Sequence, residues 1–141
     1  MKTDTTRQQL RTALAACEDK KAEHIAILEM DKHASAFTDY FLICSGTNPR
    51  QIQAISEEVE HQLERTGLRP AHIEGYRQAE WVLLDYVDFV VHIFSERARR
   101  FYNLERLWKS AERLDPSSLQ PKPKPKRAAS PRSRRKPARR R

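Results

Sequence analysis

The sequence predicts a single α/β domain built on a mixed sheet of roughly five strands flanked by helices, and three observations carry that expectation. Short runs rich in Ile, Leu, Val and aromatic residues alternate with segments whose apolar residues recur at helical spacing. One run, Asp39 to Cys44, is almost continuously apolar, the pattern of a strand covered on both faces. Two others, Trp81 to Tyr86 and Phe89 to Phe94, are separated only by Val87 and Asp88, which is hairpin spacing.

Taken in order, Leu10, Ala13, Leu14 and Cys17 mark one face of an amphipathic helix from about Thr5 to Asp19. His24 to Met30 reads as a first strand and Asp39 to Cys44 as a central one. The central strand exits into Ser45-Gly46-Thr47-Asn48-Pro49, where glycine permits a tight turn, Asn48 suits an N-cap and Pro49 the first helical position. Ile52, Ile55, Val59 and Leu63 continue that helix, and Gly67 can end it in the left-handed conformation. A weak extended segment near Ala71 to Ile73 precedes the hairpin. Ser95 can cap a last helical region with Ala98, Phe101, Leu104, Trp108 and Ala111 turned inward, which Asn103 breaks into two pieces.

Charge divides the chain of 141 residues in two. The whole carries +8, but Asp115 to Arg141 holds eleven basic residues and one acid, leaving Met1 to Leu114 with a net charge of −2. Residues 1–114 therefore read as one folded domain, large enough to bury roughly two-thirds of its unfolded surface around one core. Residues 115–141, with six prolines among lysines and arginines and almost no large apolar side chain, read as a disordered, extended basic tail. Lys122, Lys124, Lys126, Arg127, Arg134 and Arg135 are its candidate contacts to RNA phosphates. Aromatic residues are absent from it, so base stacking is not expected there.

Several function classes are set aside. No run approaches the roughly 18 apolar residues of a membrane span and no apolar leader follows Met1, so a cytoplasmic protein without membrane contact is expected. Cys17 and Cys44 lie inside apolar patterns and read as reduced core thiols. The five histidines show no metal-site spacing, and neither metal nor cofactor is expected. Phosphate-loop, nucleophile-elbow and zinc-protease motifs are missing. A nucleotidyltransferase needs paired carboxylates after a glycine turn, whereas Glu29-Met30-Asp31 precedes Gly46, and a hairpin turn separates Asp85 from Asp88. The chain is not expected to be an enzyme.

The hairpin is the most informative part. With Val87 and Asp88 as the turn, Asp85 faces Val90, Leu83 faces His92 and Trp81 faces Phe94. Val82, Leu84, Tyr86, Phe89, Val91 and Ile93 then share an uncharged face suited to packing on helices. The Trp81 face mixes large aromatics with a carboxylate and an imidazole, a composition better suited to a partner surface than to a core.

A set of strings then becomes recognisable in order: Asp19-Lys20-Lys21-Ala22-Glu23, Thr38-Asp39-Tyr40-Phe41, Gly46-Thr47-Asn48, Glu74-Gly75-Tyr76, Trp81-Val82-Leu83-Leu84-Asp85-Tyr86 and Phe101-Tyr102-Asn103-Leu104-Glu105-Arg106-Leu107-Trp108. Together, over about Leu10 to Trp108, they resemble the ribosomal silencing factor, or Iojap, family. The resemblance implies a fold distantly like nucleotidyltransferases but without their catalytic residues. It also implies binding to the large ribosomal subunit through ribosomal protein L fourteen, steric blocking of small-subunit joining, and lowered translation when nutrients are scarce. It carries the family's strand tryptophan onto Trp81, beside which the register sets Leu83 and Asp85; Tyr76, Asp88 and His92 complete the candidate partner-binding set. Glu74, Glu80, Asp85 and Asp88 would complement a basic ribosomal protein. The same exposed strand surface is a candidate contact between two copies of the free protein.

Two features depart from the family pattern. Val87 stands where glycine is common, and a β-branched residue is poorly suited to positive φ, which puts the turn geometry and its register in question. The basic tail is not part of the recognised pattern, and its charge alone supports a different reading, a general rRNA-binding assembly factor acting through the tail.

Overall fold

A computed structural model describes residues 2–30, 38–107, 111–115 and 119. The elements run α1 (Lys2–Asp19), β1 (Glu23–Glu29), β2 (Tyr40–Gly46), α2 (Pro49–Arg65), β3 (His72–Glu74), β4 (Trp81–Asp85), β5 (Phe89–Ser95), α3 (Glu96–Tyr102), α4 (Leu104–Leu107) and β6 (Glu112–Leu114). The strands form one mixed six-stranded sheet in the order β3-β4-β5-β2-β1-β6. Only the central pair, β2 and β5, is parallel; the other neighbours are antiparallel. The sixth strand corrects the expected count of about five. Glu112-Arg113-Leu114 is too short and too charged to show as a strand in sequence, features that also suit a sheet edge.

The helix after β2 starts as its residues dictate. Asn48 is extended and its side chain accepts the Gln51 N–H at 2.8 Å, while Gln51 Oε1 accepts the Thr47 N–H at 2.7 Å, so two backbone donors are satisfied reciprocally. Pro49 takes the first position, where a missing N–H costs nothing. At the other end Gly67, at φ 91°, follows the cap residue Thr66.

Helices α1 and α2 cover the inner face of the sheet. Leu10, Ala13, Leu14 and Cys17 of α1 meet Ile52, Ile55, Val59 and Leu63 of α2 over Leu42, Cys44, Val82, Leu84, Val91 and Ile93. The four apolar residues of α2 are fully buried, and at about 1.5–3 kcal/mol each they dominate its stability. Cys17 and Cys44 face each other there with Sγ atoms 3.9 Å apart, and the Cys44 thiol together with burial raises the Cys17 pKa. Leu119, assigned in sequence to the tail, belongs to this core at 3% exposure, and its carbonyl accepts a bond from Arg11 at 3.1 Å. Leu119 itself therefore packs with the folded domain. The tail residues 120–141 lie outside the described residues.

A second, smaller core lies on the outer face, where Phe41, Ile43, Val90 and Phe94 meet Ala98 of α3 and Leu104 of α4. Two further expectations are corrected here. Phe101, read as inward-facing, is 78% exposed, because Asn103 adopts the left-handed conformation (φ 44°) and ends α3 after seven residues. Ala111 packs beside this core from outside any helix, and Trp108 lies outside the described residues. Among the described residues, no helix is long and apolar enough to cross a membrane.

Candidate functional site

Helices α3 and α4 are too short to cover the whole outer face, and the β3–β4 end of it is left partly open. Strand β4 is responsible for what shows there. Its alternation buries Val82 and Leu84 on the inner face and leaves Trp81, Leu83 and Asp85 half-buried on the outer one. The register is the one read from sequence, with Trp81 opposite Phe94, Leu83 opposite His92 and Asp85 opposite Val90. On the other side Leu83 faces Glu74 and Asp85 faces His72 of the exposed edge strand β3.

Trp81 is held from several directions. Its ring stacks on Phe94 at 5.0 Å between centroids, meets Tyr102 at 4.6 Å, and its Nε1–H donates to His92 Nδ1 at 3.0 Å. His92 itself was expected among the partner contacts, but it is 3% exposed and its ring lies beneath the surface, edge-on to Phe41 at 4.6 Å. Burial lowers its pKa to about 3, so the imidazole is neutral. Since Nδ1 accepts, the proton sits on Nε2, which is buried without a hydrogen-bond partner among the described residues. His92 thus supports Trp81 from beneath the surface.

The remaining candidates divide. Tyr76 turns to the inner-face helix: its hydroxyl donates to Glu57, and its carbonyl accepts from Gln53 at 3.0 Å. It is not brought together with Trp81. Asp88 sits at the hairpin turn, at the far end of β4 from Trp81, where its carbonyl accepts the Asp39 N–H. Asp85 Oδ1 accepts the Val87 N–H at 2.8 Å and so also shapes the turn. Val87 has φ 72°, and the Asp88 N–H closes a three-residue turn onto the Tyr86 carbonyl at 2.8 Å. The register is nonetheless the expected one. The tail candidates Lys122, Lys124, Lys126, Arg127, Arg134 and Arg135 lie outside the described residues.

Sequence reasoning missed Tyr102 and the outward Phe101. Tyr102 is 48% exposed and meets Trp81, and Phe101 packs edge-on against Tyr102 at 5.0 Å. A groove of about 410 Å³ runs along Phe101, Tyr102, Ala98, Arg97 and Glu80. The signal was Asn103, whose helix-breaking character was read but whose effect on the preceding aromatics was not. The resulting surface is an aromatic ridge beside Leu83, with Glu74, Glu80 and Asp85 around it. Glu80 is fixed there by Ser95, whose hydroxyl and N–H donate to its carboxylate and carbonyl. Such a surface can bind a protein face; it brings no carboxylate pair to a nucleophile or a phosphate. The only group among the described residues with metal-like donor spacing is Glu23, His24 and Glu96, all exposed and away from this ridge.

Comparison with known proteins adds to the geometry. Residues 3–141 match the family model described as ribosomal silencing factor during starvation, so the match runs through the basic tail that the recognised strings did not reach. The chain is 45% identical over 106 residues to a ribosomal silencing factor of Bacillus subtilis, covering 75% of this chain and 89% of that protein. It is 41% identical to the Halalkalibacterium halodurans factor, covering 79% and 94%. A crystal structure from Bacillus halodurans superposes with a TM-score of 0.67 at 42% identity, over 77% of this chain and 97% of that one. One from Chromobacterium violaceum gives 0.69 at 29% identity, over 72% and 84%.

Proposed function

The chain belongs to the ribosomal silencing factor family, and on that premise we propose that it docks on the large ribosomal subunit through ribosomal protein L fourteen and blocks joining of the small subunit by its bulk. Steric silencing needs a partner surface and no chemistry, so binding and repression are one event. The observation that carries this reading is Trp81: half-buried, fixed by His92, Phe94 and Tyr102, and continuous with exposed aromatic surface. A preorganised aromatic loses little side-chain freedom on binding and anchors an interface well. Glu74, Glu80 and Asp85 beside it are the groups that would complement a basic ribosomal protein and orient the encounter.

The test is co-sedimentation of Trp81→Ala with isolated large subunits. Truncating an aromatic anchor that becomes desolvated on binding costs about 2 kcal/mol or more, roughly a thirtyfold loss of affinity. Unchanged co-sedimentation of the folded variant would remove Trp81 from the interface. The same surface pairs two copies of the free protein in this reading, so the variant should also sediment as a monomer when alone. The basic tail supports a second reading, an assembly factor that finds rRNA through residues 115–141 and tolerates subunit joining. Adding saturating protein to separated subunits separates the two, because only the silencing reading requires the folded part to stop joining.

A further inference from the structure

On the far side of α3 from the aromatic ridge lies a crevice of about 450 Å³ that the docking reading does not use. Its position follows from topology. Strands β2 and β5 are adjacent and parallel, in register from Tyr40 opposite Phe89 to Gly46 opposite Ser95. The chain leaving β2 enters α2 on the inner face, and the chain leaving β5 enters α3 on the outer face. Neighbouring parallel strands whose helices depart to opposite faces leave a gap at their carboxyl ends, the place where open α/β sheets take small ligands. The volume is within the range of ligand sites.

The lining gives that gap a chemical preference. Arg99 reaches into it from α3 with a side chain only 13% exposed. Its Nε and Nη2 donate to Glu105 at 3.1 Å each, and its Nη1 donates to Ser45 Oγ at 2.9 Å, at the end of β2. A guanidinium has five N–H groups, so two remain after these bonds. Glu105 Oε2, which accepts from Arg99 Nη2, also accepts from Arg113 Nη1 at 3.1 Å, and the two arginines hold the carboxyl below the usual carboxylate range against the effect of burial. Arg100 also lines the crevice, giving three guanidinium groups on the α3 side, with Glu105 among them and Glu96 and the neighbouring Glu23 carboxylate grouped with His24 at the opposite end. Opposite them, β1 carries an irregularity between Glu23 and Ala26, and His24 within it lines the same space. Bulges of this kind often re-aim a side chain beside a site.

We propose that this crevice binds the phosphate group of a small phosphorylated metabolite, with Arg99 held ready by Ser45 and Glu105, and Arg100 and Arg113 closing on the anion. Forked guanidinium groups match phosphate oxygens in geometry as well as in charge. The site lies outside the docking ridge and stands independently of the ribosomal reading.

The test is residue-resolved NMR of the full chain titrated with AMP, with adenosine and with inorganic phosphate. AMP should shift the signals of Ser45, Arg99, Arg100 and Arg113 saturably, inorganic phosphate should shift the same signals more weakly, and adenosine should leave them in place. Arg100→Ala, a change at an exposed side chain, and Arg113→Ala should each weaken AMP binding about tenfold with the rest of the spectrum unmoved. Three results would each overturn the proposal: shifts confined to residues 115–141, equal shifts with adenosine, or an affinity insensitive to both substitutions.

Discussion

At the scale of single residues, the state of Trp81 depends on a histidine that stays uncharged. His92 has an ordinary pKa of 6.5 and a folded one lowered to about 3 by burial. The unfolded chain therefore takes up a proton that the folded chain refuses as pH falls below 6.5, and stability declines across the window from 6.5 toward 3. At about 1.36 kcal/mol per unit, moving from pH 8 to pH 5 should cost about 2 kcal/mol, or roughly 10 °C in Tm. In His92→Phe that decline should largely disappear; an equal decline in the variant would assign it to other groups. Gly75 is a second fixed point. It sits at φ 81°, and a Cβ there would stand 2.0 Å from the Trp81 carbonyl oxygen, so Gly75→Ala should cost at least about 2 kcal/mol by denaturant titration and loosen Trp81. A loss well under 1 kcal/mol would show that the backbone can give way. Of the candidate residues, Trp81, Leu83 and Asp85 were legible because alternation in a strand fixes facing. The burial of His92 and the departure of Tyr76 toward α2 were not, since both depend on which helix covers which face.

At the scale of elements, local chemistry predicted most of the fold. The Asn48-Pro49 start of α2, its end before Gly67 and the hairpin register were readable because caps and pleats act over a few residues. Strand β6 and the early end of α3 were not: the first is specified only by its partner β1, the second by a left-handed Asn103. The hairpin turn shows register prevailing over turn preference. Val87 is 60% exposed and held at φ 72°, a conformation that costs a β-branched residue about 1–3 kcal/mol, yet the paired strands on either side keep it there. Val87→Gly should relieve that strain and, after the extra entropy of an unfolded glycine, raise stability by about 0.5–1 kcal/mol. A fall in the denaturation midpoint would mean that the valine side chain contributes packing that outweighs its strain.

At the scale of the whole molecule, charge is segregated along the chain, with a net of −2 up to Leu114 and +10 beyond it. If the basic segment meets rRNA phosphates, deleting residues 120–141, and so sparing the buried Leu119, should weaken association with large subunits. It should also flatten the plot of log affinity against log salt by about 0.7–0.9 for each phosphate that is no longer neutralised. An identical slope would mean that the segment neutralises none. The central pairing of β2 with β5 has a consequence for how the chain is made. Tyr40 meets Phe89 across the sheet, so a strand with every residue buried in the native state is synthesised well before its neighbour. At about 5–20 residues per second, the emerging amino-terminal half waits roughly 2–10 s with that strand's bonding edge vacant. Nascent chains stalled between α2 and β5 should accordingly be the form most prone to capture by chaperones or by one another, and the form that a release-and-refold experiment would find slowest to recover.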